Sequence, residues 1–164
     1  MSAQTENIAA VRHSYEAFSR GDLDEALAMM DDGIVWHQAQ GLEHGGVYHG
    51  LPAVRAAVFD PIDEQWWENF DAVPSELLAG DDHVVAIGRY TARAKNTGKP
   101  LDVPFAHLWK FADGKAVRFH QFTDTRGWVS ALTPNEAAQA SETAAGISLT
   151  DTSVRSCVGF GAVD

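Results

Sequence analysis

The chain is poor in cysteine, short of positive charge and without a long apolar run. Among its 164 residues Cys157 is the single cysteine, so no disulfide can close within the chain, which fits a reducing compartment. Lys and Arg total 12 against 23 Asp and Glu, a net charge of −11. Such a surface repels phosphate backbones and anionic headgroups, and it argues against nucleic acid and against a membrane surface as partners. No stretch approaches membrane-spanning length. The start, MSAQTENIAAVRHSYEAF, lacks the basic residues and apolar core of a secretion signal, so a cytoplasmic protein is expected. A nucleotide-binding glycine motif and a serine-nucleophile elbow are both missing. The 7 histidines show no HxxxH or His-x-His spacing with a third carboxylate, so a metal is not expected.

What is present suffices for one domain with a core and a pocket. Ile8, Val11, Tyr15 and Phe18 recur at helical spacing up to Gly21, and Asp22 with Glu25 starts a second, shorter helix carrying Leu23, Leu27 and Met30. Residues 34–38 read as a strand, with Ile34, Trp36 and Gln38 on one side and Val35 and His37 on the other; either side can face inward. Pro52 opens a third helix, bent at Asp60-Pro61, that reaches Trp66 and Trp67 as a lid. Stretches near 71–79, 83–94, 101–111 and 116–124 are strand formers separated by turn residues. Helices followed by hairpin-linked strands predict an α+β domain over residues 1–132. From 133 to 164 the composition shifts to Ala, Ser, Thr and Gly, which reads as a C-terminal tail.

Asp113-Gly114 is the preferred pair for a two-residue type I′ turn, and it sets Ala112 opposite Lys115. A regular ladder behind that turn pairs Trp109 with Arg118, His107 with His120, Phe105 with Phe122 and Val103 with Asp124 on one face. Two facing histidines between aromatic pairs, ending at a carboxylate, predict a pocket wall. His107, His120 and Asp124 are the candidate proton-transfer groups, and Trp36, Gln38, Phe105, Trp109 and Phe122 the candidate substrate contacts. A closed core pair for the histidines, and a cap on the following turn or helix for Asp124, are the structural alternatives.

The segments YEAFSRGDLDEALAMMDDGIVWH (15–37), GVYHG (46–50) and TGKPLDVPFAHLWKFADGKAVRFHQFTDT (97–125) resemble the SnoaL-like branch of the NTF2-like superfamily, which includes polyketide cyclases, ketosteroid isomerases and limonene-type epoxide hydrolases. The resemblance implies a cone, with a curved, mostly antiparallel sheet wrapped around a pocket and covered by the N-terminal helices, commonly paired as a homodimer through the sheet's outer face. It sets the steroid isomerases' tyrosine, basic aspartate and protonated aspartate at Ser14, Gln38 and His107, so none of the three is kept, with Tyr15 or His37 one position away. The Arg-x-Asp element of the epoxide hydrolases is absent from Phe105-Ala106-His107. The cyclases' acid/base aspartate matches Asp124, and their pocket histidines look like His107 and His120. The expected function is a cofactor-independent enzyme of cyclisation, isomerisation or related proton transfer on an apolar carbonyl compound. The alternative is a protein that holds a small ligand in the same pocket without chemistry.

Overall fold

The computed structural model describes residues 2–135; the greater part of the expected tail, from 136 onward, lies outside the described residues. The chain runs α1 (Ala3–Ser19), α2 (Leu23–Leu27), β1 (Met30–Gln38), β2 (Gly46–His49), α3 (Leu51–Val54), two wide helical turns (Arg55–Phe59 and Ile62–Trp66), β3 (Trp67–Ala79), β4 (His83–Ala94), β5 (Pro100–Ala112), β6 (Lys115–Thr123) and α4 (Thr125–Leu132). Six strands form one curved, unclosed sheet in the order β2-β1-β6-β5-β4-β3, antiparallel throughout except where β1 lies parallel to β6. The fold is the expected α+β arrangement with a curved, mostly antiparallel sheet. Among the described residues no helix is long and apolar enough to cross a membrane.

Local chemistry accounts for the element ends. Ser2 caps α1 by accepting from the Thr5 N–H, and Asp22 caps α2 by accepting from the Glu25 N–H at 3.1 Å. The second helix is shorter than its apolar spacing suggests, because Met30 already belongs to β1. Trp67, expected in the helical lid, begins β3 instead and is fully buried. Both strand extensions lengthen the ladder and satisfy backbone groups that a frayed helix end would leave open.

The turn between β5 and β6 is as expected: Asp113 and Gly114 both have positive φ, 49° and 76°, and Ala112 pairs with Lys115. The ladder behind it differs from the expected one. Phe111 pairs with Ala116 but Lys110 pairs with Arg118, so Val117 is an extra residue, a β-bulge. Beyond it every partner moves by one: Trp109 faces Phe119, His107 faces Gln121 and Phe105 faces Thr123. A one-residue shift turns every later side chain of β6 to the opposite face. Phe119 and Gln121 therefore point into the molecule, while Arg118, His120 and Phe122 point out. Two further irregularities, in β3 between Glu68 and Asp71 and between Pro74 and Glu76, bend the sheet's other side.

Candidate functional site

The inner face of the sheet, α1 and the 51–66 segment enclose a cavity whose room for water centres is about 60 Å³. At about 10–15 Å³ per water position, a few waters fit, and a larger guest requires side chains to move. Among the described residues its lining carries no Asp, Glu, Lys or Arg. The walls are Phe18, Met30, Trp36, Phe59, Phe70, Trp109, Phe119 and Trp128, and the polar groups are Ser14, Tyr15, Gln38, Tyr90, His107 and Gln121. Such a space offers aromatic surface and uncharged hydrogen-bonding groups.

Strand parity explains who points in. On β1, Ile34, Trp36 and Gln38 are buried, which decides the open question of that strand's orientation. On β5 the alternate residues Val103, Phe105, His107 and Trp109 face inward. On β4 the inward row is Val84, Ala86, Gly88 and Tyr90. A Cβ on Gly88 would run into the Val73 carbonyl oxygen and lie 2.7 Å from the Phe105 ring, so only glycine lets the β3 backbone and that ring approach this closely. Phe105 in turn stacks on His107 with centroids 4.1 Å apart, behind the cavity wall rather than on its surface.

His107 is 4% exposed and is held at both ring nitrogens. Tyr15 Oη lies 2.5 Å from Nδ1, and Tyr90 Oη hydrogen-bonds Nε2. Trp109 Nε1–H donates to Tyr15 Oη at 3.2 Å, and the Gln121 amide donates to Tyr90 Oη at 2.8 Å. Gln121 Oε1 accepts from the Ala39 N–H at 3.1 Å, which fixes which end of that amide meets Tyr90. Burial pushes the His107 pKa down to about 3, and burial raises both tyrosine hydroxyls well above their ordinary range, with Tyr90 close enough to reinforce the rise at Tyr15. All three groups are neutral at pH 7.

A second polar chain runs along the neighbouring wall. Trp36 Nε1–H donates to Gln38 Oε1 at 2.8 Å, so the Gln38 amide nitrogen faces His44 Nε2 at 2.7 Å. His44 is buried beside Trp66, ring centroids 4.7 Å apart, and desolvation lowers its pKa to about 4. Its unprotonated Nε2 accepts from the amide.

Of the residues expected at the site, His107, Trp36, Gln38 and Trp109 come together around the cavity, and Phe105 backs it. His120, Phe122 and Asp124 do not. His120 lies on the outer face, stacked on His37 at 4.3 Å and on Phe122 at 5.0 Å. Phe122 is 54% exposed, and Asp124 is exposed at the start of α4, where its carboxylate accepts from the Gly127 N–H at 3.1 Å. The bulge at Val117 is the physical cause for the first two, and the end of the strand for the third. The expected His107/His120 pair is replaced by His107 between two tyrosines. Tyr15 is expected only as the neighbour of the position where the resemblance sets the steroid isomerases' tyrosine, and Tyr90 is not among the expected residues, although it lies on the inward parity of β4. A buried tyrosine needs a hydrogen-bond partner, which was the signal to follow.

Comparison with known proteins places this geometry. The SnoaL-like domain model matches residues 11–119. An NTF2-like protein from Burkholderia thailandensis has 30% identity over 77% of this chain and 97% of its own, with a TM-score of 0.74. An NTF2-like protein of unknown function from Burkholderia pseudomallei has 30% identity over 78% of this chain and 98% of its own, with a TM-score of 0.72. TerC, co-crystallised with polyporic acid, has 25% identity over 77% of this chain and 98% of its own, with a TM-score of 0.67. No curated protein sequence matches. With the family model spanning most of the chain and a relative of 30% identity covered almost in full, the chain belongs to the SnoaL-like family of the NTF2-like superfamily.

Proposed function

We propose that the domain carries out an acid/base proton transfer on a small, flat, largely apolar carbonyl compound, as in a cyclisation or isomerisation, without a cofactor. One observation carries this reading: a neutral chain Tyr15–His107–Tyr90 sits in a cavity lined by aromatic rings. Neutral O–H donors held against an imidazole supply a carbonyl oxygen with a hydrogen bond and accept a proton in return. Trp36 and Trp109, with ring planes 79° apart, give the guest two aromatic walls set nearly at right angles, and Gln38 offers its amide. TerC, a relative at 25% identity, was crystallised with a small molecule, polyporic acid, which supports a ligand-binding cavity. His120 and Asp124 have no part in this reading, because neither reaches the cavity. A homodimer through the outer face is part of the proposal, supported by Val47, Val73, Ile87 and Phe122, which are between 38% and 54% exposed there.

The test is deuterium exchange at the α-carbon of flat enolisable ketones, headed by 2-indanone, followed by NMR in heavy water. The protein is expected to accelerate exchange, and Tyr15→Phe to remove about 10²- to 10⁴-fold of that acceleration, the usual share of a positioned acid or base. Ketones that bind the cavity without faster exchange would replace this reading with the ligand-holding one.

A further inference from the structure

The hydrogens around His107 can be counted. Each tyrosine oxygen already accepts one N–H, from Trp109 on the Tyr15 side and from Gln121 on the Tyr90 side. A neutral imidazole brings one hydrogen and the two hydroxyls bring two more, while the two contacts to the ring consume two. One hydroxyl hydrogen is left over. With the ring protonated on Nδ1, that nitrogen donates to Tyr15, Tyr90 donates to Nε2, and the spare hydrogen belongs to Tyr15. With the ring protonated on Nε2, the spare hydrogen belongs to Tyr90. Both residues line the same cavity.

We propose that His107 is a tautomeric relay between Tyr15 and Tyr90, and that the cavity takes an enolisable carbonyl compound which is protonated at one hydroxyl while it is deprotonated at the other. This rests on the proton-transfer function proposed above and specifies its substrate class. In the forward pass Tyr15 gives its hydrogen to the carbonyl oxygen and receives the one on Nδ1. Tyr90 gives its hydrogen to Nε2 and takes one from the substrate's α-carbon. The electron pair of the broken C–H bond forms the C=C bond, and the former C=O π pair binds the new hydroxyl hydrogen. The substrate leaves this pass as the enol, the ring as its other tautomer, and no group is ionised. A return pass, with Tyr90 delivering its hydrogen to a different carbon of the conjugated enol and Tyr15 recovering the enol hydrogen, completes an allylic isomerisation and resets the ring. Burial disfavours imidazolium and phenolate alike here, which favours an exchange between neutral states.

The test needs no substrate, so it is independent of whether ketones are turned over. In protein labelled with ¹⁵N-histidine, long-range ¹H–¹⁵N correlation spectra at pH 7 report which ring nitrogen of His107 carries hydrogen. A buried N–H without an acceptor is costlier than a bare nitrogen lone pair, so the hydrogen follows the remaining hydroxyl. Tyr15→Phe is expected to place it on Nε2 and Tyr90→Phe on Nδ1. The same tautomer in both variants, or an imidazolium, would overturn the relay. If a variant fails to fold, the wild-type protein carries the test: both nitrogens are expected to show averaged shifts that move in opposite directions with temperature, and one tautomer at all temperatures would overturn it. Opposite tautomers together with no acceleration of ketone exchange would keep the tautomeric histidine and overturn both its carbonyl substrate and the proposed function.

Discussion

Each face of the β5–β6 ribbon carries one histidine beside an aromatic ring, and the two are put to different uses. Inside, His107 is sealed between Tyr15, Tyr90 and the stacked Phe105, neutral and bonded at both nitrogens. Outside, His120 lies half-buried between His37 and Phe122. Desolvation lowers the His37 pKa, and repulsion by its neighbours His120, Arg118 and His49 lowers it further. Residue type does not separate the two sites; one bulged residue, Val117, decides which belongs to the cavity. A histidine on a strand acquires its chemistry from the face it is given.

The sharpest way to break the comparison is to remove each imidazole in turn. His107→Leu is expected to cost about 10²- to 10⁴-fold in ketone exchange, whereas His120→Leu leaves it within about twofold. Equal losses would erase the distinction. Stability separates the faces next. Phe119→Ala, which removes a ring 1% exposed and stacked on Trp36 at 3.7 Å, is expected to cost about 3–5 kcal/mol in denaturant unfolding. Phe122→Ala, half exposed, is expected to cost less than about 1 kcal/mol in the monomer.

Acid gives a third contrast. His107 and His44 are held near 3 and 4 in the folded protein, below the ordinary 6.5, so the unfolded chain takes up protons first as pH falls through 6.5. Their contribution to stability is complete above that value and is lost as the pH drops toward the folded values. Between pH 7 and pH 5 each imidazole is expected to cost about 2 kcal/mol of unfolding free energy. His107→Leu should remove its own share of that slope, as read from urea melts at the two pH values. The smallest effect is at Asp124: replacing the cap of α4 with Ala is expected to cost about 1 kcal/mol of stability and nothing in ketone exchange.

Much of the fold was legible because local chemistry and tertiary packing agree. The α1 stripe, the Asp22 cap and the Asp113-Gly114 turn each rest on one short-range rule and stand in the structure. The inward row of β5 was legible too, since His107 and Trp109 share a face in either register. The facing strand was not. In KAVRFHQFT, both alternations bring one phenylalanine inward, Phe119 or Phe122, so the apolar pattern does not choose between them. Arg118 held the missing information: a regular ladder turns its guanidinium inward beside Trp109, where an unpaired charge is costly, and the bulge turns it out. The tyrosine contacts span 92 and 17 residues of chain, and nothing local announces them.

The protonation state of His107 tests the neutral, two-handed imidazole most directly. In an NMR pH titration of ¹⁵N-histidine-labelled protein, its resonances should keep the shifts of an uncharged ring from pH 7.5 down to pH 5. An ordinary titration curve centred near 6.5 would show an imidazole open to water and would contradict the enclosed site on which the proposed chemistry depends.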